Sequence, residues 1–203
     1  MNNELQPTTV DEQSLLWSRF KNGDSLAFGQ LVTQHYKLLY NYATKFSKDS
    51  AFVEDCLQEV FLDLWYNRAS LSETVFVKAY LLTAVRNRLL KALRRADFFR
   101  PIDDLTFSAD AVERPVEEVL IAGEHQEEQV RHLQRSILQL TPRQQEIIYL
   151  RFYQHLNNDE IAQLLTISRP AVANLLSISL KELRKKIQLP IVVFVLLLGP
   201  ALR

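Results

Sequence analysis

The chain has 203 residues, with 24 Lys+Arg balanced by 24 Asp+Glu, so its formal net charge is zero. Hydrophobic residues make up 47% and charged residues 24%, which excludes disorder of the whole chain and supplies apolar material for one or two cores. Zero net charge also stands against nucleic-acid binding, because such a domain ordinarily carries a basic surplus.

In chain order, residues 1–11 are polar and acidic and show no signal-peptide pattern. Asp24 and Ser25 cap a predicted helix from about Leu26, on which Phe28, Leu31, Val32, His35, Leu38, Leu39 and Tyr42 recur at helical spacing. Asp49 and Ser50 cap the next helix. One stripe of it holds Val53, Leu57, Val60, Phe61 and Leu64; another face holds Asp55, Gln58, Glu59 and Leu62. Cys56, the single cysteine, falls within this helix as a small buried hydrophobe and excludes a disulfide within the chain. A polar loop over 68–74 leads to a long helix over 76–95, with Leu81, Val85, Leu89 and Leu93 in register. Residues 98–123 carry Pro101 and Pro115 and read as a linker with one short helix.

Residues 124–140 form an amphipathic helix with Val130, Leu133, Ile137 and Leu138 inward. Thr141 caps the next helix, Pro142 suits its first position, and Gln144 closes a capping box; Ile147, Ile148 and Leu150 follow. Asn157 and Glu160 are a second such start. A short helix over 160–165, a three-residue turn (Thr166, Ile167, Ser168) and a helix over 169–187 complete the pattern, the last with Val172, Leu175, Leu176, Leu180 and Leu183 apolar. With four glycines, seven prolines and no alternating segments, the expected fold is all-α. Residues 190–203, PIVVFVLLLGPALR, are apolar over about half the length a bilayer-crossing helix needs.

The zero charge is a sum of opposing blocks. Residues 49–67 hold five acids and no base; residues 76–100 hold seven bases and one acid. Residues 103–128 hold nine acids and one base, and residues 169–187 hold five bases and one acid. Two basic surfaces joined by an acidic linker suit anion binding at two places, with a connection that does not compete for the same anion.

The short helix, turn and longer basic helix form a helix-turn-helix pattern, in which the second helix reaches base edges in the major groove and bases neutralise phosphates. Its candidate contacts are Arg169, Ala171, Ala173 and Asn174, with Lys181 and Arg184 toward the basic end. The other basic helix offers Lys78, Arg86, Arg88, Lys91, Arg94 and Arg95 interspersed with Phe76, Tyr80 and Asn87, a mixture that suits unstacked as well as duplex DNA. His35, His125, His132 and His155 have no metal-ligand spacing with Cys56, and there is no Gly-rich phosphate loop or nucleophile elbow. The expectation is a binding protein without catalytic residues, metal, cofactor or small-molecule substrate.

Four runs carry a resemblance. LLWSRFKNGDSLAFGQLVTQHYKLLYNYATKF (15–46) resembles the opening of bacterial extracytoplasmic-function sigma factors of the sigma-70 family. EDCLQEVFLDLWYNR (54–68) is similar to the polymerase-binding helix of that family, and FVKAYLLTAVRNRLLKALRR (76–95) to its promoter-melting helix. LQLTPRQQEIIYLRFYQHLNNDEIAQLLTIS followed by RPAVANLLSISLKELRKKI resembles its second domain, which reads the upstream promoter element.

The resemblance implies a sigma factor that binds core RNA polymerase, directs initiation at specific promoters and melts the downstream element. Asp55, Gln58, Glu59, Leu62 and Asp63 would dock on the clamp helices of the polymerase largest subunit. Lys78, Tyr80, Arg86, Asn87, Arg88, Lys91, Arg94 and Arg95 would hold the melted downstream element, with Asn87 and the 68–74 loop forming a pocket for a flipped base. The implied domains are 15–99 (region 2-like), 100–123 (acidic linker), 124–189 (region 4-like) and 190–203 (apolar tail). Implied partners are core polymerase, promoter DNA and a membrane-anchored anti-sigma factor, in the cytoplasm. Where many relatives carry bases in the recognition helix, this chain has Leu175 and Ile178. A stand-alone helix-turn-helix regulator is the alternative, and the tail remains open between packing on the second domain, anti-sigma contact and lipid contact.

Overall fold

The computed structural model describes residues 10–72, 76–96, 107–109 and 124–187. Every regular element among them is helical. The chain divides into two compact units, Met1–Phe98 and Phe99–Arg203.

Unit 1 contains α1 (Val10–Lys21), α2 (Ser25–Ala43), α3 (Ser50–Asn67), a 3₁₀ turn (Arg68–Ser70) and α4 (Val77–Ala96). α1 adds to the expected elements. Trp17 and Phe20 make it part of the core: both are fully buried, with ring centres 5.3 Å apart. Gly23, at φ +90, makes the tight link to α2 in a conformation that a side chain would strain. Asp24 then caps α2, its carboxylate accepting from the amides of Leu26 and Ala27 at 3.0 Å. Those bonds, the Ala27 amide foremost, together with Arg19 hold the Asp24 carboxyl below its usual range. Asp49 caps α3 through the Phe52 amide.

α4 packs on both α2 and α3, so its apolar side is the centre of the unit. Leu81, Leu82, Val85 and Leu89 are fully excluded from water, each worth about 1.5–3 kcal/mol of burial. Facing them are Ala27, Leu31, Leu39 and Tyr42 of α2 and Val53, Cys56, Leu57, Val60 and Leu64 of α3. His35 and Lys45 are the buried polar side chains described in this unit. Burial, with the charge of Lys78 nearby, lowers the His35 pKa to about 4, so the ring is neutral at pH 7.

Unit 2 contains α5 (Glu124–Leu138), α6 (Pro142–Ile148), a π-helical turn (Tyr149–Tyr153), α7 (Asn158–Leu165) and α8 (Arg169–Ile187). α5, α6 and α7 all pack on α8. The capping boxes of Thr141 with Gln144 and of Asn157 with Glu160 are both formed, the second starting α7 at Asn158, two residues before the predicted start. Leu138 corrects the expected inward stripe: it is exposed, and Leu140 is buried in its place. α5 ends there, and the Gln139 N–H donating to the Ser136 carbonyl and the Leu140 N–H to the Ile137 carbonyl turn the chain so that Leu140 is buried.

The expected linker also holds more structure than its composition suggested. Phe107 and Ala109 are buried; the Phe107 ring lies 5.7 Å from Tyr149, and the Ala109 amide donates to Gln145 Oε1 at 2.8 Å. Gln145 in turn donates to the Leu140 carbonyl at 2.9 Å, tying that segment to the end of α5. The short helix expected within 98–123, apart from 107–109, and the apolar tail lie outside the described residues.

Candidate nucleic-acid and partner interfaces

α3, the turn after it and α4 enclose a cavity of about 300 Å³, at the small end of ligand pockets. Val60, Leu64, Leu71 and Ala84 give it an apolar lining; Asp63, Asn67, Tyr80, Asn87, Arg88 and Lys91 supply amides, a phenol and charges. The α4 members recur at 80, 84, 87, 88 and 91, one face of a helix. Tyr80 is half-buried, and burial raises its phenol pKa, so it remains a neutral donor. Apolar walls with a phenol ring, two amides and two cations that outnumber the one carboxylate, Asp63, can hold a planar polar ring attached to an anionic backbone.

The turn beside the cavity is held by aromatic groups. The Arg68 guanidinium sits 4.4 Å from the Trp65 ring and donates to the Trp65 carbonyl at 2.6 Å. The Trp17 indole donates to the Ser72 carbonyl at 3.1 Å. Sequence reasoning missed Val60, Leu64, Asn67, Leu71 and Ala84 as cavity residues. The helical period could have signalled Ala84, which lies midway between Tyr80 and Arg88.

Of the eight DNA candidates on α4, Tyr80, Asn87, Arg88 and Lys91 meet at the cavity. Arg94 and Arg95 are exposed further along the helix. Lys78 and Arg86 are half-buried and do not line it; Lys78 lies on the His35 side. Of the docking candidates, Asp55, Gln58, Glu59 and Leu62 are all exposed along α3, with Leu62 at 53%. Asp63 lines the cavity as well. Glu59 forms an ion pair with Arg88, so a residue expected to face a partner protein also holds one expected to face DNA.

In unit 2 the axes of α7 and α8 turn through 101°, within the range of helix-turn-helix pairs. Thr166 makes the turn in the left-handed region at φ 56, and Ser168 Oγ accepts from the Ala171 amide at 3.3 Å. Val172, Leu176, Ser179 and Leu183 face inward. Arg169, Ala171, Ala173, Asn174, Lys181 and Arg184 are all exposed. Arg169 lies 3.5 Å from Asp159 of α7, and Lys185 pairs with Glu182, whose carboxyl it holds below the usual range. Arg143 braces the motif from α6, bonding the Leu165 carbonyl and the buried Glu146.

Among the described residues no group of three or more His, Cys, Asp and Glu side chains is placed to hold a metal ion. Among them, too, no single helix is long and apolar enough to cross a membrane.

Comparison with known proteins matches both units. The family model for sigma-70 region 2 matches residues 31–99, and that for sigma-70 region 4 matches residues 136–185. The RNA polymerase sigma factor NccH of Alcaligenes xylosoxydans xylosoxydans is 29% identical over 81% of this chain and 87% of its own length. The ECF RNA polymerase sigma factor SigL of Mycobacterium tuberculosis is 25% identical over 78% of this chain and 87% of its own. SigK of Mycobacterium bovis is 23% identical over 88% and 95%. Among solved structures, CnrH in complex with the cytosolic domain of CnrY shares the fold, with a TM-score of 0.56, 19% identity, and coverage of 85% of this chain and 95% of that one.

Proposed function

Since the chain belongs to the extracytoplasmic-function group of the sigma-70 family, whose members bind core RNA polymerase and direct promoter-specific initiation, we propose how its two units divide that work. The exposed α3 face of Asp55, Gln58, Glu59 and Leu62 docks on polymerase, where an acidic, partly apolar strip suits a basic helical partner. The α3–α4 cavity captures a base unstacked from the downstream promoter element, with Asn87 as its polar contact and Arg88 and Lys91 drawing in the backbone. Lys78, Arg86, Arg94 and Arg95 extend the electrostatic track along α4. α8 reads the upstream element through Arg169, Ala171, Ala173 and Asn174, with Lys181 and Arg184 on phosphates.

This division follows the boundaries 15–99, 100–123, 124–189 and 190–203, with α1 extending the first domain to Val10. The chain supplies no catalytic group, because polymerase carries the chemistry. A membrane-anchored anti-sigma factor is the expected regulator, and the structure of CnrH with the cytosolic domain of CnrY supports a protein partner of that kind. The working compartment is the cytoplasm. A stand-alone regulator is disfavoured by the region 2 match, which such a protein would not need.

The observation that carries the division is the cavity, which gathers Tyr80, Asn87, Arg88 and Lys91 beside the docking helix. The full chain, added to core polymerase, is expected to initiate at a cognate promoter. Asn87→Ala is expected to slow open-complex formation roughly tenfold while closed-complex binding stays near wild type, as for loss of one base contact. Equal loss in both steps would remove Asn87 from the pocket role.

A further inference from the structure

Trp17 lies on α1, outside both matched regions, and is not among the residues that line the cavity. It is fully buried where three parts of unit 1 meet. Its ring packs edge-on against Phe20 at 5.3 Å and against Tyr80 at 5.1 Å, the latter at 65°. Its Nε1–H donates to the Ser72 carbonyl at 3.1 Å, a bond that spans 55 residues of sequence. Both ends of this arrangement reach the cavity: Tyr80 lines it, and so does Leu71, the residue before Ser72.

We propose that Trp17 is a positioning residue for base capture, fixing the Leu71–Ser72 backbone and the Tyr80 ring that shape the cavity. The proposal rests on reading the α3–α4 cavity as the capture site. An indole N–H is a donor only, and a buried one needs an acceptor. Here the acceptor is a main-chain carbonyl of the pocket turn, so the bond sets the orientation of that peptide as well as satisfying the indole. Phe20, the other buried aromatic of α1, has no polar atom with which to make such a tie. If Trp17 were core packing alone, an apolar ring of similar shape would serve equally well.

The test uses the full chain with core polymerase on a promoter mapped for the wild type. Each of the four bases is placed in turn at the downstream-element position most sensitive to identity. Two variants remove the donor: Trp17→Phe, and replacement of Trp17 by 3-benzothienylalanine, which keeps the bicyclic shape with sulfur in place of N–H. Both are expected to lose about fivefold of base discrimination during opening, the scale of one hydrogen bond, with unchanged affinity for core polymerase. Phe20→Leu, a packing control, is expected to lower the melting temperature with discrimination intact. Wild-type discrimination in both Trp17 variants, while Asn87→Ala loses it, would overturn the proposal. Full discrimination in Asn87→Ala as well would instead overturn the capture-site reading, and the proposal with it.

Discussion

α4 and α8 are both long basic helices, of 20 and 19 residues, yet they present their charge differently. α4 lies against α3, and its bases Arg88 and Lys91 share a concave surface with two amides, a carboxylate, a phenol and apolar side chains. α8 stands on three shorter elements and offers a convex face whose front carries the stubs Ala171 and Ala173 beside Arg169 and Asn174. The proposed roles follow from that difference: a concave, mixed surface suits a single displaced base, and an exposed helix with short side chains fits a groove without obstruction. The cores beneath differ in the same way. Among the described residues, unit 1 buries His35 and Lys45 in an otherwise apolar core, whereas unit 2 buries Ser136, Gln145, Glu146 and Ser179 in hydrogen-bonded positions.

Acid should separate the two cores most strongly. His35 has a folded pKa of about 4 against an ordinary 6.5. Between those values the unfolded chain takes up a proton that the folded unit refuses, so stability falls as pH falls and levels off below about 4. The loss is on the order of 3 kcal/mol. The depressed Asp24 carboxyl acts in the same direction but only below its ordinary 3.8, outside this window. Trp17 and Trp65 are the only two tryptophans and both lie in unit 1, so their emission reports that unit alone. Denaturant unfolding followed by tryptophan emission should show the loss from pH 7 to 4, and His35→Leu should abolish the slope; a slope that persists would assign it elsewhere.

Gln145→Ala is the complementary break in unit 2. It strands the Ala109 amide and a carbonyl at the end of α5, at a cost of about 2 kcal/mol. Helical circular dichroism should then melt earlier while tryptophan emission keeps its midpoint. Coincident shifts in both signals would mean that the units do not unfold independently.

Local chemistry made much of this fold legible. Asp24, Asp49, Thr141 with Gln144, and Asn157 with Glu160 announce helix starts because a cap is written within four residues of sequence. α1 carries no such local signature: it is held by Trp17 and Phe20, whose burial depends on α2 and α4. The π-helical turn after α6 was likewise unannounced. The sequence-derived candidates of α4 formed one list, but the fold divides them, because only residues on one face of the helix reach the cavity. The Glu59–Arg88 pair joins residues from separate helices and opposite charge blocks, which spacing along the chain does not reveal.

That ion pair is the place to ask whether docking and strand capture are separable. Glu59→Arg should weaken core-polymerase binding roughly tenfold by reversing a charge on the acidic strip, and it also sets two cations together at the cavity edge. The swap Glu59→Arg with Arg88→Glu restores a pair of half-exposed charges. It should recover folding stability to within about 1 kcal/mol of wild type. Polymerase affinity should stay low, because the docking face remains reversed. Recovery of affinity in the swap would show that polymerase depends on the ion pair rather than on the acidic strip.

The smallest effect sharpens the account of α8. Ile178 is 44% exposed, one turn beyond Asn174, whereas Leu175 is half-buried. The two apolar residues are therefore different in kind: Leu175 contributes to packing, and Ile178 leaves an uncharged spot on the outer face. Ile178→Lys should add one phosphate contact, raising duplex affinity a few-fold at low salt and steepening the log affinity against log salt slope by about 0.9. Leu175→Lys should lower stability instead, because its charged end must leave a partly buried site. Titration of promoter duplex across a salt series, with a helical melt for each variant, distinguishes the two. An unchanged salt slope for Ile178→Lys would place this face of α8 away from DNA and confine its reading to the turn that begins at Arg169.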